Sequence, residues 1–100
     1  MTENIWYLYM IECRKGQLYT GITTDIERRF KEHQLGGSKA AKFLRGKGPL
    51  RLVHVELIGT HSQALRRERA MKQLTRQQKL AVIQYDTNCH SITSTQLTPL

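Results

Sequence analysis

Apolar positions crowd together between residues 5 and 13, IWYLYMIEC, where aromatic and β-branched side chains predict a strand buried on much of both faces. Period-two alternation sets Tyr7, Tyr9 and Ile11 on one face and Trp6, Leu8 and Met10 on the other. Arg14-Lys15-Gly16-Gln17 breaks the run as a turn. Leu18 to Thr23 then predicts a second strand, antiparallel to the first because the connection is short. Gly21 lies inside that strand, where glycine weakens the ladder unless another group must approach the backbone.

The period then changes to helical. Thr24 and Glu27 have capping-box spacing, Ile26, Phe30 and Leu35 form a narrow apolar stripe, and Arg29 and His33, four apart, share a neighbouring face. Gly36-Gly37 ends this helix, and residues 36–49, with four glycines, one proline and four basic residues, predict a flexible basic loop. Leu50 to Ile58 predicts a third strand. Ser62 is the expected N-cap of a helix running through Leu74, with Ala64, Leu65, Met71 and Leu74 as its buried face. Glu68 stands three residues from both Leu65 and Met71, so its carboxylate is expected along the apolar side, compensated by Arg29 or by a metal ion. Thr75 and Gln78 repeat the capping-box spacing and open a last helix carrying Leu80, Ala81 and Ile83.

The order strand, strand, helix, strand, helix, helix predicts an α+β fold, a three-stranded antiparallel sheet flanked by helices. Residues 1–85 form the expected domain, and the polar, Ser/Thr-rich residues 86–100 are expected to be a mobile tail.

Charge changes the picture next. The net charge is +8, and all 16 Lys and Arg fall between Arg14 and Lys79 with only five acidic residues among them. Such an excess on a small domain attracts polyanions, nucleic acid first. No apolar run reaches the roughly 20 residues of a membrane helix, and the start carries no basic segment with a cleavage site, so the expected location is cytoplasmic. Cys13 and Cys89 are expected to be reduced thiols, and with His90 they make no closely spaced zinc set.

Tyr7-Leu8-Tyr9, then Tyr19-Thr20-Gly21, then Arg29 and His33 eight and twelve residues after Gly21, with Glu68 further on, resemble the GIY-YIG nuclease module. The likeness covers about residues 5–84 and is closest to its short, single-domain YhbQ-like bacterial group. Tyr7, Leu8 and Thr20 stand where that pattern has glycine, isoleucine and isoleucine, positions that set strand packing. The resemblance implies a metal-dependent endonuclease using Mg²⁺ or Mn²⁺, with Glu68 as the metal ligand. Tyr9 and Tyr19 would orient or deprotonate the attacking water, and Arg29 would grip the phosphate through its planar fork of donors. His33 would relay a proton or contact a phosphate, and Lys39, Lys42, Arg45 and Lys47 would contact nucleic acid.

One carboxylate suits a single Mg²⁺ completed by phosphate oxygens and water. The expected substrate is structured, damaged or single-stranded nucleic acid, DNA ahead of RNA, with a protein partner for targeting. Two other classes stay open: a non-catalytic nucleic-acid-binding module, and a small partner protein in a DNA-repair or RNA-processing assembly.

Overall fold

The alternation in the first strand is what divides the molecule into layers. The computed structural model describes residues 4–83. Strands β1 (Trp6–Glu12), β2 (Leu18–Thr23) and β3 (Arg51–Gly59) form an antiparallel sheet in the order β2-β1-β3. β1 is therefore central, which explains why its sequence is apolar on both faces. Leu8 and Met10 point to one side and, with Met71, form a core joined by Ile22, Val53, Ile58, Leu74, Val82 and Ile83. Tyr9, Ile11 and Cys13 point to the other and pack with Leu44, Tyr19, Phe30 and Leu52. Each fully buried aliphatic side chain contributes about 1.5–3 kcal/mol.

β3 does not alternate simply, and its pairing with β1 shows why. The register shifts between Trp6 and Tyr7 and again between Met10 and Ile11, so Tyr7 faces Leu57 and Ile11 faces Leu52. Each bulge skips one residue, Ile58 and Val53, and delivers it to the Leu8–Met10 core while Leu52 keeps the opposite face.

Helix α1 (Ile26–Leu35) and a single 3₁₀ turn, Lys42–Leu44, serve the Tyr9 face. α2 (His61–Lys72) and a third helix, α3, described over residues 76–83, serve the Leu8 face. The caps differ from the sequence expectation by one or two residues. Asp25, not Thr24, caps α1 by accepting from the Arg28 amide at 3.1 Å, because Thr23 Oγ1 already holds the Asp25 amide. Thr60, not Ser62, caps α2, in a reciprocal box with Gln63. α2 stops at Lys72 rather than Leu74, and Thr75 and Gln78 form the expected box ahead of α3.

Three apolar expectations are corrected. Leu35 is 84% exposed at the end of α1, Leu65 is 40% exposed on α2, and in α3 Leu80 and Ala81 are exposed while Val82 joins the expected Ile83 against the core. The segment 36–49 is also more ordered than a flexible loop. Leu44 is inserted into the core at 2% exposure, and Arg14 donates its amide to the Lys47 carbonyl. Residues 84–100, including Cys89, His90 and the expected tail, lie outside the described residues.

The Leu8 face carries a polar network that the sequence pattern does not pair. Arg67 of α2 donates two hydrogen bonds, 2.8 and 2.9 Å, to Glu56 of β3, whose other contact is His54 Nε2 at 2.8 Å. The Arg67 guanidinium holds the Glu56 carboxyl below the usual carboxylate range. This forked pair ties α2 to the edge strand.

Candidate active site

The cross-strand register puts Tyr9 opposite Gly21 and Ile11 opposite Tyr19, so both tyrosines stand on the face covered by α1. The Tyr9 ring lies directly across the β2 backbone. A Cβ at position 21 would sit 2.5 Å from the Tyr9 hydroxyl oxygen and 2.7 Å from its ring, closer than any side chain tolerates. Gly21 is thus the space into which Tyr9 fits, which answers the question raised by a glycine inside a strand. Gly21→Ala is expected to force Tyr9 off its position and to destabilise the fold by about 1–3 kcal/mol, read as a lowered chemical-denaturation midpoint. Unchanged stability and unchanged Tyr9 NMR shifts would contradict this.

α1 places the other members. Its Asp25 cap and the Gly36 terminus at φ 72° set the helix so that His33 turns inward, at 1% exposure, and Arg29 lies one turn earlier. His33 Nε2 is 2.9 Å from the Tyr9 hydroxyl, and the Ala41 amide donates to His33 Nδ1 at 3.2 Å. A backbone N–H is always a donor, so Nδ1 carries no proton. In the neutral ring the proton then sits on Nε2 and is donated to the Tyr9 oxygen. This orientation leaves the hydroxyl proton of Tyr9 free to point elsewhere. It also fixes the Tyr9 oxygen from within the core, where the His33 ring is 1% exposed.

Burial, helped by the Arg29 charge, lowers the His33 pKa to about 4. The folded state therefore binds this proton less readily than the unfolded chain, whose histidine titrates near 6.5. Stability rises with pH across that window and is lost as pH falls from about 6.5 towards 4, by up to about 3 kcal/mol from this group. Urea titrations at successive pH values are expected to show this slope, and His33→Gln to flatten it. An equal slope in the variant would assign the dependence to other groups.

Arg29 uses Nη1 twice, donating to Glu32 Oε1 at 2.8 Å and to the Lys39 carbonyl at 2.7 Å. Its charge also lies beside the Tyr9 hydroxyl. Burial and the neighbouring Tyr19 push the Tyr9 phenol well up, and Arg29 offsets only part of that. At neutral pH Tyr9 is a protonated phenol held by two fixed neighbours. Tyr19 completes the group, its ring 6.3 Å from Tyr9 and 5.6 Å, edge-on, from His33.

Glu68 stands apart from this cluster. It is carried by α2, which packs on the Leu8–Met10 side of the sheet, and it pairs with Lys72 at 3.1 Å rather than with Arg29. Its side chain is 20% exposed and lines a depression of about 300 Å³ with Leu65, Arg69, Lys72 and Gln73. It is no more sheltered than two other acids, Glu32 at 21% and Glu56 at 19%. Glu32, which the sequence pattern does not single out, is the carboxylate that holds Arg29 in place. Its i, i+3 spacing from Arg29 is the available signal.

Of the expected nucleic-acid contacts, Lys39 supplies its carbonyl to Arg29, Lys42 opens the 3₁₀ turn and Arg45 Nη2 holds the Ser38 carbonyl at 3.1 Å. Lys47 covers the Phe43 ring, with Nζ 3.6 Å from its centroid. Among the described residues no three His, Cys, Asp or Glu side chains cluster to cage a metal. One carboxylate facing an open depression does fit Mg²⁺ or Mn²⁺, which complete their shells with phosphate and water. Glu68 is the residue that would hold such an ion.

Tyr9, Tyr19, Arg29 and His33 thus gather on one face of the antiparallel β2-β1-β3 sheet. Residues 5–81 match the GIY-YIG catalytic domain, and the chain belongs to that family. It is 48% identical over 94 residues to a UPF0213 protein of Cronobacter sakazakii, covering 94% of this chain and 97% of that one. It is 47% identical over 94 residues to the UPF0213 protein YhbQ of Escherichia coli strain K12, covering 94% and 92%. Among solved structures, a UPF0213 protein of Bacillus halodurans aligns with a TM-score of 0.53 at 41% identity, covering 81% of this chain and 84% of that one. A protein of E. faecalis aligns with a TM-score of 0.57 at 32% identity, covering 86% and 91%. The family assigns the chain to an endonuclease superfamily that binds nucleic acid and generally depends on a divalent metal. The UPF0213 names of its relatives add no activity. No described helix is long and apolar enough to cross a membrane.

Proposed function

We propose that the protein is a cytoplasmic, metal-dependent endonuclease that hydrolyses a phosphodiester of DNA at the Tyr9–Tyr19–Arg29–His33 cluster. The observation that carries this reading is the fixed Tyr9: Gly21 makes its space, His33 donates to its oxygen, and Arg29 sits beside it. Few packing roles require a phenol to be held by two cationic or donor partners at once. Arg29 keeps donors beyond Nη1 for a phosphate oxygen, and a charged guanidinium in a sheltered place stabilises the charge that grows on phosphorus oxygens during displacement. A preformed phenolate at Tyr9 is disfavoured by burial, so its hydroxyl orients the attacking water rather than stripping it of a proton. Tyr19, less buried and in ring contact with both Tyr9 and His33, borders the same water. A divalent ion on Glu68 would supply Lewis-acid stabilisation to the phosphate when bound.

Purified protein is incubated with nicked, branched and single-stranded DNA and with RNA, in Mg²⁺ or Mn²⁺ and in EDTA, beside Tyr9→Phe. Metal-dependent cleavage that disappears in the variant is the expected result. Absent cleavage, or equal cleavage by both proteins, ends the catalytic reading. One observation favours the second reading, a nucleic-acid-binding module without catalysis that a protein partner recruits: Glu68 is already neutralised by Lys72. Salt-dependent binding without cleavage is its signature.

A further inference from the structure

Tyr19 belongs to two groups of rings, and the second leads away from the reaction site. On its other side Tyr19 stacks with Phe43, centroids 6.0 Å apart and planes 22° from parallel. Phe43 is 42% exposed although it sits next to the core residue Leu44, and Lys47 Nζ lies over its ring, 3.6 Å from the centroid. Beyond Lys47 opens a cavity of about 280 Å³ lined by Arg14, Lys15, Gln17, Arg45, Gly46 and Lys47. Four of these six are cationic and none is acidic.

The cavity walls are pinned from several directions. The Arg14 amide donates to the Lys47 carbonyl at 3.0 Å and the Lys47 amide to the Leu44 carbonyl at 3.2 Å. Arg76 Nη1 donates to the carbonyl of Gly16, whose φ of 90° makes the β1–β2 turn. The four cations are thus brought together by backbone geometry despite their mutual repulsion. Such a concentration of like charge costs free energy in the empty protein and is relieved by an anion. An ammonium lying on an exposed ring is held weakly and exchanges readily.

We propose that Phe43 and this basic cavity form a subsite for an unpaired nucleotide flanking the scissile phosphate. Its base stacks on Phe43 in the place taken by the Lys47 ammonium, and its phosphate enters the cavity among Arg14, Lys15, Arg45 and Lys47. This rests on the reading of the Tyr9–Arg29 cluster as a phosphodiester site, to which Tyr19 joins it. Selectivity for unpaired nucleotides follows from the ring: a base within a duplex is already stacked on both faces, whereas a splayed base offers a free one. Because every base has such a face, the subsite recognises strandedness rather than sequence.

The test measures binding in EDTA, where no cleavage interferes, of a short fluorescein-labelled single-stranded oligodeoxynucleotide, its RNA counterpart and a blunt duplex. Phe43→Leu, which keeps apolar bulk but no aromatic face, is expected to weaken single-strand binding about tenfold for both DNA and RNA and to change duplex binding less than about twofold. Phe43→Trp is expected to restore it. The pair Arg14→Ala with Arg45→Ala is expected to lower the slope of log affinity against log salt by about 0.7 for each phosphate it leaves without a cation. Wild-type affinity in Phe43→Leu, an equal loss on the duplex, or an unchanged salt slope in the arginine pair overturns the subsite.

Hydrolysis of bis(p-nitrophenyl) phosphate by the wild type, a diester with no flanking nucleotide, is scored separately. Its absence alongside the expected binding pattern removes the catalytic reading and leaves the subsite to a binding module. Its presence with unaltered Phe43→Leu binding removes the subsite alone.

Discussion

Arg29→Lys is expected to lower the single-turnover rate of phosphodiester cleavage by about 10²–10³-fold while the protein stays folded. Lysine keeps the charge, so a loss of this size would show that geometry rather than charge is what the position supplies. One nitrogen of the guanidinium, Nη1, is taken up by Glu32 and the Lys39 carbonyl. The rest of the planar group is thereby aimed, and it remains to serve Tyr9 and a phosphate oxygen together. An ammonium is a point charge with rotating donors and cannot satisfy an acid, a carbonyl and a phosphate from fixed directions. Stability should move by less than about 1 kcal/mol, because the Arg29–Glu32 pair is part-exposed and lysine retains part of it. Rates measured with protein in excess over a labelled DNA substrate, beside thermal melts, check both halves. Equal rates for the two proteins would place Arg29 outside the chemistry.

How far the sequence makes this site legible follows from which contacts are local. Tyr9, Tyr19 and Gly21 are readable together because a short turn fixes the register of two adjacent strands, and alternation then decides the face. Arg29 and His33 are readable as neighbours because they are one helical turn apart. Their meeting with Tyr9 is not, since it depends on how α1 is laid across the sheet. The deciding contact, the Ala41 amide on His33, comes from a segment whose composition predicts a flexible loop. Leu44 explains the difference. Ala40, Ala41, Phe43 and Leu44, set among glycines and lysines, carry no strand or helix periodicity, yet burial of Leu44 and Ala40 is enough to anchor the segment. The bulges in β3 are likewise invisible, because they fall at Leu52-Val53 and Leu57-Ile58, where two adjacent apolar residues leave the pattern unchanged whichever of them is skipped. Glu68 marks the opposite limit. Helical spacing correctly puts it near Met71, but spacing does not say which side of the sheet the helix will cover.

Glu68→Gln is expected to abolish metal-dependent cleavage, by about 10³-fold or more, without measurable loss of stability, and the combination is what gives the experiment its force. As an i, i+4 partner of Lys72 on a helix surface, the carboxylate contributes only about 0.3–0.5 kcal/mol. Glutamine is nearly isosteric and leaves the Met71 core untouched, so a structural role predicts almost no effect of any kind. A role as the single protein ligand of a divalent ion predicts a large and selective one, since several kcal/mol of charge stabilisation in the transition state would go with it. Lys72→Ala separates the readings further. If Lys72 merely occupies the carboxylate until a metal arrives, its removal should leave cleavage intact and tighten Mn²⁺ binding, measured by electron paramagnetic resonance of free Mn²⁺. If cleavage survives Glu68→Gln, the metal has another ligand or none from this helix. Nucleic-acid binding that outlasts cleavage in Glu68→Gln is the expected pattern for a metal ligand, whereas binding without cleavage in the wild type would leave the protein as a binding module built on a nuclease fold.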